Sequence, residues 1–250
     1  MAGHSIPSPS SAEATSLCPG RVIFAAENKP NEAAAEGTAA HYLSEQFLSH
    51  GTPPEAAIGQ VMAVDGFDIP VTSEMVKYVR AYTDAVSLVP GQRLIEQSFN
   101  LQDVIGFPMR GSADVVVING ALIEVIDLKF GRGVQVEAKE NLQLALYAAG
   151  ACREFDLVDD FKTVRMTIHQ PRRNHIDVWE VSAVELSEFL AKHKGRLLRA
   201  HLIAQAKVKP EERDFNPSDK ACQFCPGKGQ CTALAAHVSA TVFDKFEDLT

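Results

Sequence analysis

The sequence predicts a mixed α/β fold: a central sheet with helices on both sides and a cysteine-bearing C-terminal tail. Three observations predict it. Apolar residues recur at helical spacing before residue 90 and again after residue 137, while the segments between are rich in Val and Ile. An Asn119-Gly120 pair joins two of those segments, as a β-hairpin requires. The order that results is helix, helix, three meandering strands, helix, two strands, helix, tail, which is an α/β (mixed α+β) arrangement.

Each element has its own signal. Residues 31–50 read as one helix, with Ala33, Ala34, Tyr42, Leu43, Phe47 and Leu48 near helical spacing and Gly51-Thr-Pro-Pro to stop it. A second helix runs over 72–88, with Thr72 or Ser73 as its cap and Pro90-Gly91 beyond its end. Residues 93–99, 109–119 and 121–130 read as strands, and Gly131-Arg-Gly133 breaks the third. Helical character returns over 137–151. Strands follow over 163–169 and 176–181, then a long amphipathic helix over 184–207.

Composition bounds the function. With 46% hydrophobic and 22% charged residues, the chain is neither disordered nor a coiled-coil rod. No run approaches the roughly 18 apolar residues of a membrane span. The first residues, MAGHSIPSPSS, lack the basic-then-apolar pattern of a secretory signal, so a cytoplasmic protein is expected. A net charge of −8 argues against indiscriminate coating of nucleic acid. It leaves room for a nuclease whose catalytic carboxylates add to the negative total.

The chemistry-bearing pattern lies in the strands. Asp127 and Lys129 are two residues apart and so project from one face, opposite to Glu124. The preceding strand carries Gly111-Ser-Ala-Asp114, and the hairpin brings Asp114 level with the 124–127 region. Two acids and a lysine converging in apolar surroundings suit phosphodiester hydrolysis. The acids hold Mg²⁺ or Mn²⁺, and the lysine orients water or stabilises the transition state. The competing reading is a buried Asp–Lys pair that fixes strand register. On the next helix Gln143 and Tyr147, at i and i+4, share one face. His41 on the first helix and Glu96 in the first strand are ambiguous from the residues alone.

Five cysteines without an export signal point to metal or cluster ligation rather than disulfides. Cys222-x2-Cys225-x5-Cys231 supplies three thiolates, and Cys18, in a Cys-Pro-Gly turn, can supply a fourth. Cys152 reads as a small buried apolar residue. Four cysteines suit either a [4Fe–4S] cluster or structural Zn²⁺, and in both cases the metal ties the two ends of the chain together.

In order, His41, Asp114 within Gly-x-x-Asp, Asp127-x-Lys129 and Gln143-x-x-x-Tyr147 resemble the RecB-like branch of the PD-(D/E)XK nucleases. One early cysteine with a late Cys-x2-Cys-x5-Cys resembles the iron–sulfur staple of Cas4 and AddB-type nucleases. Ser8-Pro-Ser-Ser, Cys18-Pro-Gly, Glu36-Gly-Thr-Ala-Ala-His41, Asp127-Leu-Lys-Phe-Gly and Glu140-Asn-Leu-Gln143 look closer still to phage proteins of the DUF2800 type. The resemblance implies a restriction-endonuclease-like core, a central mixed sheet flanked by helices, in a single domain over 1–250. Within it 1–20 and 215–235 form the staple. It implies His41, Asp114, Asp127 and the carbonyl of Leu128 as ligands of Mg²⁺ or Mn²⁺, with Lys129 as the catalytic lysine. Gln143 and Tyr147 would position DNA, and Glu96 looks like a further acid of this branch. Cys18, Cys222, Cys225 and Cys231 would hold the [4Fe–4S] cluster, with structural Zn²⁺ as the alternative.

The expected activity is therefore that of a metal-dependent deoxyribonuclease, an exonuclease of phage DNA recombination or processing in the host cytoplasm. DNA is the expected partner, together with a recombinase, an annealing protein or a helicase, since the chain has no Walker-type phosphate loop of its own. Lys192, Lys194, Arg196, Arg199, Lys207 and Lys209 of the long helix region, with Arg172 and Arg173, are candidate phosphate contacts. Two other readings stay open: a non-catalytic DNA-binding adaptor, and a zinc-stabilised interaction module.

Overall fold

In the computed structural model, residues 7–27, 31–157 and 160–247 are described. Residues 1–6 of the N-terminal segment expected in the staple lie outside that set. In chain order the elements are α1 (Ala12–Leu17), α2 (Glu32–His50), β1 (Val61–Val64), β2 (Phe67–Pro70), α3 (Ser73–Leu88), β3 (Gln92–Asn100) and α4 (Gln102–Ile105). They continue with β4 (Arg110–Asn119), β5 (Leu122–Leu128), α5 (Leu142–Glu154), β6 (Thr163–Gln170), β7 (His175–Ser182), α6 (Ala183–Ala204), α7 (Asp219–Cys222) and α8 (Thr232–Glu247).

Five strands form one sheet in the order β3-β4-β5-β6-β7. Only β5 and β6 run parallel, with α5 as their crossover, so the sheet is mixed. On one face Val116, Ile123, Val125, Val164, Met166 and Ile168 are buried against α5 and α6. On the other, Val115, Val117, Ile126 and Leu128 pack against Tyr82 and Val86 of α3. Valines and isoleucines fill consecutive positions of β4 and β5 because both faces are covered. A third cluster joins Ala35, Ala39, Ala40 and Leu43 of α2 to Ile69, Val71 and the first turns of α3, and it includes Phe130 just beyond β5. That packing sets α2 beside the C-terminal end of β5.

The helix starts follow their capping residues. Asn31 Oδ1 accepts the Ala34 N–H and Thr72 Oγ1 the Met75 N–H, so α2 and α3 begin where the sequence places them. The helix expected from residue 137 begins instead at Leu142. Asn141 caps it by accepting the Leu144 N–H, and the Ala138 N–H is taken by Asp177 Oδ2 at 2.7 Å. The long helix, expected over 184–207, is set at its start by a Ser182/Glu185 capping box. It stops at Ala204, before the left-handed Ala206. The β4–β5 loop is Gly120-Ala121 rather than Asn119-Gly120, since Asn119 itself pairs with Leu122 and Gly120 takes the positive φ. The β1–β2 hairpin was not anticipated. Its signal is Asp65-Gly66, both at positive φ as a type I′ loop demands.

The two ends of the chain meet on α6. Arg196 donates to the Leu17 carbonyl, Ser16 bonds His193, Lys220 pairs with Glu13, and Arg199 holds Asp214 at 2.7 Å. Glycines and rings interlock there. A Cβ on Gly20 would meet the Phe215 ring at 2.7 Å, and one on Gly227 the Phe24 ring at 2.2 Å. Each terminal segment thus offers a glycine to the other's phenylalanine.

Candidate active site

Strand pairing builds the site. Ile95 pairs with Val115, Gln97 with Ala113, and Val115 with Ile126. One residue further along these registers, Glu96, Asp114 and Asp127 stand side by side across β3, β4 and β5. Glu96 holds a left-handed backbone with φ +50. For a non-glycine residue this costs on the order of 1–3 kcal/mol, a strain found mainly where function sets the conformation.

The row is tied together by side chains. Asp114 Oδ2 accepts the Leu128 N–H at 2.7 Å, and Asp114 Oδ1 lies 3.2 Å from His41 Nδ1 on α2. Lys129 Nζ lies 2.9 Å from Asp127 Oδ2 and donates to Gln143 Oε1, also at 2.9 Å. Gln143 Nε2 donates in turn to the Tyr147 hydroxyl at 3.3 Å. Asp127 is buried, and its Oδ2 faces the Lys129 ammonium. Glu124, on the opposite face as strand alternation requires, accepts from Thr167 at 2.6 Å and takes no part in this row.

The charges are crowded. Burial and then the Asp114 carboxylate push Glu96 up to about 7, against the pull of His41. Burial, reinforced by Asp114, holds Asp127 above the usual carboxylate range in spite of Lys129. Burial pulls the other way on His41, yet Asp114 and then Asp127 outweigh it and raise the imidazole to about 9. The same contest, won by Asp127, holds Lys129 above its ordinary value, so its ammonium stays charged. Burial pushes Tyr147 up to about 12, which keeps it a neutral donor.

Among the described residues, His41, Glu96 and Asp114 form one group able to hold a metal ion, with ligand atoms all within 4.8 Å of one another. A carboxyl raised by burial and by the Asp114 carboxylate marks a place where a cation would relieve the charge. The donors, carboxylates with one imidazole, fit Mg²⁺ or Mn²⁺. Glu96 joins the group more closely than sequence reasoning placed it, and Asp127 belongs to the lysine side of the row. Strand register was the missing signal, because it depends on β3 pairing with β4.

Four of the arginines expected to meet phosphate have partners within the fold. Arg172 is half-buried, paired with Glu36, with its guanidinium over the Phe130 ring, and Arg173 donates to the carbonyls of Arg132 and Gly133. Arg196 and Arg199 are spent on the terminal segments. Each of these four guanidiniums has an internal acceptor. Lys192, Lys194, Lys207 and Lys209 stay exposed.

The cysteines form the second constellation. Cys18, Cys222, Cys225 and Cys231 line one small cavity, walled by Phe24, Phe215, Pro217 and Leu234. None of the four is in a disulfide. Cys18 is buried, and that burial raises its pKa, against the Asn216 N–H that points at its sulfur. Cys152 lines a separate groove between α5 and α6.

A family model described as protein of unknown function, DUF2800, matches residues 4–250. The chain belongs to the DUF2800 family. Two solved structures are similar to this member at low identity. One is SSO0001, 13% identical with a TM-score of 0.37, the match covering 89% of this chain and 85% of that one. The other is a candidate exonuclease of Eubacterium rectale, 10% identical with a TM-score of 0.44, covering 84% and 75%. Among the described residues, no helix is long and apolar enough to cross a membrane.

Proposed function

We propose that this DUF2800 chain is a metal-dependent deoxyribonuclease, an exonuclease of DNA recombination or processing in phage-infected cells. The observation that carries the reading is the row Glu96–Asp114–Asp127, with His41 at one end and Lys129 at the other. His41, Glu96, Asp114, Asp127 and the Leu128 carbonyl would hold Mg²⁺ or Mn²⁺. When bound, the cation would supply a water of lowered pKa and offset charge on the phosphate. Lys129 keeps its proton and so acts as a donor and fixed positive charge, aimed by Asp127 Oδ2 and Gln143 Oε1. Tyr147 and Gln143 together position the lysine and the phosphate backbone.

In the same reading, residues 1–250 form a single nuclease domain. Cys18, Cys222, Cys225 and Cys231 hold one [4Fe–4S] cluster, for which their shared apolar cavity is the support. The setting is the cytoplasm, with DNA as substrate and a recombinase, annealing protein or helicase as the companion that supplies an end. The test is digestion of end-labelled DNA in Mn²⁺ by wild type and Asp127→Ala. Cleavage by the wild type alone is expected, and equal cleavage by both would overturn the assignment. Iron and acid-labile sulfide should be found in protein purified without oxygen; one equivalent of zinc and no sulfide would replace the cluster by a structural Zn²⁺ site.

A further inference from the structure

A cleft of about 370 Å³ opens from the candidate active site toward the cysteine loop. Lys129 and Gln143 line it, and so do Gln223 and Phe224. Phe224 lies between two of the cavity-lining cysteines and is 73% exposed, a large apolar ring turned to solvent. Its backbone is not loose. Arg21 donates to the Phe224 carbonyl at 3.2 Å, the Cys225 N–H bonds the Cys222 carbonyl, and Gly227 is locked against the Phe24 ring. A fixed backbone presenting an exposed ring to a cleft that leads from the catalytic lysine is a stacking platform.

We infer that this cleft takes the unpaired end of a DNA strand, with one nucleobase stacked on Phe224. The inference rests on the nuclease reading above and specifies its substrate as a single-stranded end. Size supports it: the cleft has the volume of a site for one small ligand, roughly 300–1,000 Å³, which suits one unpaired nucleotide and not a duplex. The lining sets the terms of binding. It holds Lys129, Lys139 and Lys220 against Glu13, Glu137 and Glu140, so the cleft carries no excess positive charge with which to track phosphates. Binding there must come from the ring and from amides such as Gln223, which is exposed beside it. Stacking is tolerant of base identity because every base has a π-face.

The experiment measures binding of a short fluorescein-labelled oligothymidylate by anisotropy, in Ca²⁺, over a series of salt concentrations. Cleavage of end-labelled single and double strands in Mn²⁺ runs in parallel. Loss of one base–aromatic stack, roughly 1–3 kcal/mol, corresponds to an affinity loss of about five- to 150-fold. Phe224→Ala should show that loss with the slope of log K against log salt unchanged, because no phosphate contact is removed. Phe224→Trp should restore binding, and both variants should keep the wild-type melting temperature, since the ring is exposed. Gln223→Ala should weaken binding more mildly, which keeps the proposal testable were Phe224→Ala to fold poorly. Wild-type affinity in Phe224→Ala, with cleavage intact, overturns the cleft assignment and leaves the nuclease reading standing. A Phe224-dependent affinity in a wild type that cleaves nothing overturns the nuclease reading alone. A loss that flattens the salt slope assigns the cleft to phosphate, and failure of the wild type to bind any single strand leaves it to a peptide ligand; both overturn the proposal.

Discussion

The acid row and the cysteine cavity are two polar constellations built on opposite principles. The row is assembled by three neighbouring strands, and its members lie between residues 96 and 129, with His41 added from α2. It concentrates like charges, buries Asp127 among them, and strains Glu96 into a left-handed backbone. The cavity gathers residues 18 and 222–231 from the two ends of the chain, and apolar rings wall it. Around it the polar groups are satisfied, Arg199 by Asp214 and Lys220 by Glu13. Stress stored in one place and satisfaction in the other separate a site made to bind something from a joint made to hold.

If that contrast is right, variants of the row lose activity and keep stability, while variants of the joint lose stability first. The largest effect belongs to the row. Lys129→Ala should cut DNA cleavage by about 10²–10³-fold, the usual consequence of removing one preorganised donor. Mn²⁺ affinity, followed by calorimetry, should persist in Lys129→Ala and vanish in Asp127→Ala. Full cleavage by Lys129→Ala would erase the distinction between row and joint.

Cys18→Ser comes next. By analogy with covalent cross-links over long loops, the joint contributes on the order of 4–5 kcal/mol. That corresponds to a melting temperature lower by about 8–20 °C in a chain of this size. Iron content should fall with it, while Cys152→Ser should change neither, because Cys152 faces a different groove. Full iron loading in Cys18→Ser would detach the N-terminal segment from the cluster. Gly227→Ala sharpens the same point without touching a thiol. Its new methyl would lie 2.2 Å from the Phe24 ring, an overpacking that costs about 1–3 kcal/mol. A melting temperature unchanged in Gly227→Ala would show that the rings yield easily.

The smallest effect is one of pH on metal-free protein. His41 rises from 6.5 in the unfolded chain to about 9 in the folded one, Asp114 and Asp127 outweighing the burial that opposes them. A raised pKa means the folded state binds the proton more tightly, so the contribution is complete below pH 6.5 and fades as pH climbs through about 9. In EDTA the melting temperature should decline modestly across that window, and His41→Ala should flatten the decline. The effect stays small because a third of the imidazole is exposed, with water screening the pair. A decline of equal slope in both proteins would assign it to another group.

By itself the sequence determined what local periodicity and short spacing encode. Strand alternation put Asp127 and Lys129 on one face, a two-residue loop brought Asp114 level with them, and helical spacing put Gln143 beside Tyr147. Three cysteines within ten residues announced a ligand set. These survive because each depends on neighbours a few residues away. The tertiary structure alone decided which distant groups share a partner. Pairing of β3 with β4 set Glu96 beside Asp114, and the packing of α2 on β2 and Phe130 brought His41 to the row. The tertiary structure also gave Arg172, Arg196 and Arg199 their partners in Glu36, Leu17 and Asp214. The physical reason is that a guanidinium or a carboxylate satisfies the nearest complementary group in space. Which group is nearest is fixed by how the whole sheet and its helices pack, a property no short window of sequence contains.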